Sequence, residues 1–160
     1  MAKARVVRGS DGEVYDTTWI FKHGSRTGAP FDFLIGNVAY LTGPPLHVHD
    51  EQYDTFYVLE GVLAVQVDDD VLDLMPGDFA SVPPGIPHTF DNIRKDQPPV
   101  KVCNLMTPGG LDGLFVALNE LGPAAADPVE FAAAAKKMKT AIVGPTIGQK
   151  LGLAKPEISN

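Results

Sequence analysis

A chain of 160 residues has the size of one domain, and its 20 acidic against 13 basic residues give a formal net charge of −7, which repels phosphate backbones and anionic lipid surfaces and sets nucleic acid and membrane aside as partners. The single cysteine, Cys103, allows no internal disulfide, so folding rests on packing, and within the run VKVCNLM it reads as a small buried hydrophobe rather than a nucleophile. No apolar segment follows the early positive charges and no uninterrupted apolar run approaches about 18 residues, so a cytoplasmic protein is expected.

Residues 1–11 read as a basic N-terminal arm ending in the turn signal Asp11-Gly12. Val14 to Phe21 favours a strand. His23 follows in the loop KHGSRTGAP with no second ligand type beside it and reads as a solvated loop histidine. Phe31 to Leu41 is a second strand region, with a break or bulge expected at Gly36-Asn37. Beyond Pro44-Pro45 lies a histidine segment, and Phe56 to Val67 is strand-rich with a tight bend at Glu60-Gly61. Asp68-Asp69-Asp70 fits a hairpin tip better than a calcium loop, which alternates its ligands and needs a Gly and a distal Glu. Val71 to Met75 resumes the sheet, and Pro76-Gly77 suits the centre of a type II turn. Phe79–Val82, His88–Asn92 and Val100–Met106 complete a series of short strands that predicts a sandwich or barrel.

After Gly109-Gly110 the apolar period changes. Leu111, Leu114, Phe115, Leu118 and Leu121 recur at helical spacing. Asp127-Pro128-Val129-Glu130 then combines an N-cap, a first-turn proline and an N3 glutamate, predicting a second helix to about Lys139. The two helices need a covering surface, either the barrel or a second subunit. The tail beyond Gly144-Pro145 lacks periodicity and reads as an arm. The chain thus divides into an arm over 1–11, a barrel over 12–110, helices over 111–145 and a tail over 146–160.

Three of the four histidines sit in two Gly/Pro-rich segments, which argues for a shared task. On a strand, His47 and His49 project in one direction. Asp54 follows within reach of a turn, and the rigid stretch Pro83-Pro84-Gly85-Ile86-Pro87 would present His88 from a neighbouring strand. Imidazoles plus a carboxylate, with positions left open, form the ligand set of mononuclear Fe, Mn, Ni, Co, Cu or Zn sites, among which ligand type does not choose. The competing reading makes these histidines hydrogen-bonding fixtures of a proline-rich rim.

The second segment resembles the second cupin motif at each signature position: Gly77, Pro83, Gly85, His88 and Asn92. The first resembles the first cupin motif, with His47, His49, the acidic position at Asp54, and Gly61. The fifteen-residue spacer over 62–76 resembles that of bacterial single-domain cupins. PPLHVHDEQYDTFYVLEG, TPGG and IVGP resemble the quercetinase-like branch, over roughly residues 12–145. The resemblance implies a mainly β fold, a single double-stranded β-helix (jelly-roll) barrel with two C-terminal α-helices. It implies one divalent transition metal ion on His47, His49, Asp54 and His88, and a metal-dependent dioxygenase acting with O2 on an enolic or phenolic small molecule, Asp54 serving as ligand or base.

Two departures from that pattern bear on the site. Gly43 and His47 enclose only three residues, fewer than is usual in the family. Asp54 stands where the family usually has Glu, one methylene shorter. A carbon–carbon bond spans about 1.5 Å whereas a ligand distance tolerates about 0.2 Å, so the backbone must shift inward, a water must bridge, or three histidines alone hold the metal. Glu51 is a rival carboxylate if the strand continues through it. Phe56 and Val58 share the parity of Asp54, and Phe90 that of His88, making these three the expected walls of a substrate pocket or else ordinary barrel packing. The alternative functions are a cupin isomerase, cyclase or decarboxylase using the metal as a Lewis acid, or a non-catalytic small-molecule-binding cupin. A homodimer is expected.

Overall fold

The computed structural model describes residues 6–9, 11–15, 19–23 and 30–154; parts of the expected N-terminal arm and the end of the expected tail lie outside these residues. The strands are β1 (Glu13–Tyr15), β2 (Trp19–His23), β3 (Asp32–Val38), β4 (His47–His49), β5 (Tyr53–Glu60), β6 (Leu63–Val67), β7 (Asp70–Leu74), β8 (Phe79–Val82), β9 (His88–Asp91), β10 (Val100–Thr107) and β11 (Thr140–Ile142). The helices are α1 (Asp112–Leu121), α2 (Pro128–Lys137) and α3 (Ile147–Lys150). Two antiparallel sheets result, one in the order β1-β2-β3-β10-β5-β8 and the other β11-β4-β9-β6-β7. None of the described helices is long and apolar enough to cross a membrane.

Strand alternation builds the interior. Along β10, Val100, Val102, Asn104 and Met106 are buried while Lys101, Cys103 and Leu105 are only partly so. Registers with β3 and β5 turn this into rows: Val102 lies between Gly36 and Val58, Asn104 between Leu34 and Phe56, and Met106 between Asp32 and Asp54. The apolar rows meet Leu63 and Val65 of β6 and Phe90 of β9 in one core cluster shared by both sheets. Each such side chain contributes about 1.5–3 kcal/mol on burial. The interior is therefore apolar at the Val102 end and turns polar at the Asp54 end.

Several expectations change. The strand expected over 14–21 is a hairpin, β1 pairing β2 with Val14 opposite Ile20. The backbone of His23 ends β2 opposite Phe33 rather than opening the loop; its side chain lies outside the described residues. No bulge occurs at Gly36-Asn37, since β3 pairs without interruption with β10. Gly36 answers a packing need instead: a Cβ there would stand 2.3 Å from the Trp19 ring. The turns are as expected, with Asp68-Asp69 joining β6 to β7 and Gly61 and Gly77 at φ of 82° and 94°.

The C-terminal region is richer than two helices. α1 lays Phe115 against Phe21 and Trp19, ring centroids 5.2 and 6.5 Å apart. Asp127 caps α2, accepting from the Val129 N–H at 2.8 Å, and α2 ends at Lys137 rather than Lys139. Leu114 of α1 packs with Ala134 and Ala135 of α2. Thr140–Ile142 then adds β11 to the barrel, and the expected free tail contains a third helix, α3, with Ile147 fully buried. Four residues are too short for periodicity to register. The signal present was the capping box, Thr146 bonding the Gln149 N–H and Gln149 returning to the Thr146 N–H.

Gly36→Ala is expected to lower stability by about 1–3 kcal/mol through overpacking, seen as a lower urea midpoint at unchanged slope. Adding Trp19→Phe, which shrinks the opposing ring, should recover part of that loss.

Candidate metal centre

His47 and His49 point inward from β4, and His88 faces His47 across the β4–β9 pair. Asp54 enters from β5 in the opposite sheet. The strand does not continue through Glu51: a turn at 50–51 separates β4 from β5, and Glu51 reaches out to Lys139 Nζ at 2.6 Å on the surface. The carboxylate brought to the histidines is therefore that of Asp54. One ligand atom from each of His47, His49, Asp54 and His88 lies within 4.8 Å of the others, and all four residues are buried.

The spacing suits one ion. Donors about 2.0–2.2 Å from a common metal lie about 3.0–3.4 Å apart. Asp54 Oδ2 is 3.3 Å from His88 Nε2 and 3.8 Å from His49 Nε2. Oδ2 thus stands at a spacing one ion can bridge from His88 and farther from His49.

The hydrogen bonds around the rings orient the donors. His47 Nδ1 lies 2.8 Å from the Pro45 carbonyl and His88 Nδ1 2.8 Å from that of Ile86. A carbonyl only accepts, so Nδ1 carries the proton and Nε2 presents its lone pair inward. His49 Nδ1 is 2.9 Å from Thr140 Oγ1, whose hydroxyl reaches the Met138 carbonyl at 3.4 Å, and the same assignment follows. Backbone or hydroxyl partners on the distal nitrogen are the usual support of metal-bound histidine. Three inward lone pairs and a carboxylate are all acceptors. A cation among them, a proton or a metal ion, meets all four.

The electrostatics agree. Burial alone would raise the Asp54 carboxyl, but the hydrogen bonds and charges of His49 and His88 outweigh it and hold Asp54 well below the usual carboxylate range. Burial pushes His88 down, yet its hydrogen bond to Asp54 and that residue's charge carry it above the ordinary imidazole value. His47 falls to about 3, driven by burial and then by His88 and His49. The opposite shifts of His88 and Asp54 favour a charged pair between them, and His47, at about 3, is neutral at pH 7.

Two supporting residues escaped the sequence reading. Asn104 donates from Nδ2 to Asp54 Oδ1 at 2.5 Å and to the Thr55 carbonyl at 3.2 Å. Its signal was parity, an amide at an interior position of an otherwise apolar strand. Thr140 lies opposite His49 in the β11–β4 register, and nothing local marks it. Phe56 and Val58 are fully buried and pack with Phe90 in the core cluster, the Phe56 and Phe90 rings 5.1 Å apart.

Together the two sheets and this group define the class: a double-stranded β-helix barrel gathering three imidazoles and one carboxylate in its interior. Residues 38–106 match the family model of the cupin domain. The chain is 29% identical over 89 residues to quercetin 2,3-dioxygenase of Bacillus subtilis strain 168, a match taking in 53% of this chain but only 26% of that relative's length. Among solved structures it is similar to a conserved protein with a double-stranded β-helix domain from Klebsiella pneumoniae, with a TM-score of 0.51, 22% identity, and coverage of 68% of this chain and 93% of that one. It is also similar to a cupin protein from Bacteroides fragilis, with a TM-score of 0.54, 14% identity, and coverage of 69% and 88%. At these identities the structural likeness bears on fold.

A metal bound at His88 Nε2 must displace any proton held there. Because His88 titrates above the ordinary imidazole value, that proton persists to higher pH, and metal affinity should still climb above pH 6.5, by about tenfold per unit while one proton is displaced. Chelator competition at several pH values measures the slope. Thr140→Val should loosen His49 and weaken metal binding about tenfold, read by the same titration.

Proposed function

We propose that this protein is a metal-dependent dioxygenase that opens the ring of an enolic or phenolic small molecule, in the manner of a quercetin 2,3-dioxygenase. The observation that carries the reading is the buried convergence of three imidazole nitrogens and one carboxylate oxygen, in a chain related over 89 residues to an enzyme of that name. His47, His49, Asp54 and His88 would hold one divalent transition ion. When bound, such an ion supplies Lewis-acid polarisation of an enolic oxygen and, if redox-active, an electron path to O2.

The chain's own groups divide the remaining tasks. Asp54 is ionised and is the carboxylate of the group, so it is the base for the substrate hydroxyl proton. The distal hydrogen bonds of His47, His49 and His88 keep the rings from rotating as substrate enters. Phe56, Val58 and Phe90 give the centre an apolar flank suited to an aromatic ring and to excluding water.

Loading the protein with each candidate metal, adding a flavonol, and following O2 uptake and carbon monoxide release tests the reading. His47→Ala and His88→Ala should abolish both metal retention and turnover, and Asp54→Asn should lower kcat by about 100-fold or more. Absence of turnover with every loaded metal would sink the flavonol assignment. Equal turnover without O2 would instead mark Lewis-acid chemistry.

A further inference from the structure

Asp54 has two carboxylate oxygens, and the barrel treats them differently. Oδ2 faces His88 and His49 at 3.3 and 3.8 Å. Oδ1 accepts from Asn104 Nδ2. The same amide nitrogen also donates to the Thr55 carbonyl, so both amide hydrogens are directed at β5, one at the Asp54 side chain and one at the backbone beside it. A flipped amide would set its own oxygen against a carboxylate and a carbonyl, so only one orientation is tolerated. Asn104 is itself buried, opposite Leu34 on one side and Phe56 on the other, and that packing leaves the amide little freedom to follow a moving carboxylate.

We propose that Asn104 is a positioning residue that makes Asp54 a single-oxygen donor to the metal centre and thereby keeps one more coordination position open. This rests on the reading that His47, His49, Asp54 and His88 hold a metal. An untethered carboxylate can chelate with both oxygens. With Oδ1 tied to the amide, only Oδ2 is presented. Four donors leave two of the six positions of an octahedral ion free, and a chelating carboxylate would occupy one of them. Two free positions would admit two small ligands, or a substrate oxygen together with a water.

The test uses cobalt(II) as a spectroscopic probe in the full chain, with Asn104→Leu, which removes the amide at similar volume, and Asn104→Asp, which inverts donor to acceptor. Both should shift cobalt affinity by about 10-fold or more and change the visible d–d spectrum, in Asn104→Leu toward the weaker bands of a higher coordination number. In an Asp54→Ala background, adding Asn104→Leu should change affinity less than about twofold, because the residue it acts through is gone. Equal shifts in both backgrounds, or a wild-type spectrum in Asn104→Leu, would overturn the proposal. If the variants do not fold by circular dichroism, the wild-type protein decides. Its infrared difference spectrum, taken with carboxyl-labelled aspartate with and without cobalt, should show the widely split carboxylate bands of one-oxygen binding, and narrowly split bands of chelation would refute it. No cobalt binding by the wild-type protein would remove the metal reading and this proposal together, whereas binding with an indifferent Asn104 would remove this proposal alone.

Discussion

The site depends on one register pair, His47 of β4 opposite His88 of β9. β4 has only three residues, too few to hold a register against a single partner. It is braced from the other side by β11, which pairs it at all three positions. Backbone bonds extend the brace at both ends, from the Leu46 N–H to the Pro145 carbonyl, from the Val143 N–H to the Leu46 carbonyl, and from the Asp50 N–H to the Lys139 carbonyl. The Pro-rich loop before β9 adds the Gly85 N–H to the His49 carbonyl. The histidine strand is therefore sewn into the C-terminal segment, and β11 is in turn tied to the helices, where Met138 and Ile142 pack against the α1–α2 cluster. What resembles a helical appendage on a barrel is part of the support of the site.

The polar end of the barrel is tolerable because its charges are compensated one by one. A buried carboxylate costs several kcal/mol unless paired and hydrogen-bonded. Asp54 has Asn104 on one oxygen and His88 on the other, and each imidazole has its outer nitrogen satisfied. On the outer side of the group every nitrogen has a partner, and at its centre the inward nitrogens and Oδ2 converge as the donors of a cation site do. The apolar rows behind, from Phe56 to Val102, lower the local polarity and strengthen those interactions.

Much of this was legible in the chain. Gly/Pro punctuation marks the turns at Gly61, Asp68-Asp69 and Gly77, and parity places Asp54, Phe56 and Val58 on one face, because both signals are local. The motif spacing identified all four members of the group. Parity could not decide between Asp54 and Glu51, since the deciding feature is the turn at 50–51, held by Lys139 from the far end of the chain. Gly36 read as a strand defect because its real partner, Trp19, lies on another strand. Thr140 carries no local signal at all, being defined by a partner 91 residues away. Asn104 was readable but passed as part of an apolar run; an amide in an interior position calls for a polar partner across the sheet.

The shorter acidic side chain changes what the carboxylate can do. Glutamate has three side-chain rotors and can swing between an inward and an outward pose, whereas aspartate has two, and its aim is set largely by its strand. Asp54 sits on β5 between Met106 of β10 and Val82 of β8, and the amide of Asn104 fixes its terminal rotation. A carboxylate held this way cannot leave the centre to collect a proton elsewhere. In the proposed reaction Oδ2, the one oxygen free of Asn104, would have to serve both the ion and the substrate hydroxyl, which ties substrate placement to one point in the barrel. A tethered aspartate is a stationary carboxylate where a glutamate would be a mobile one.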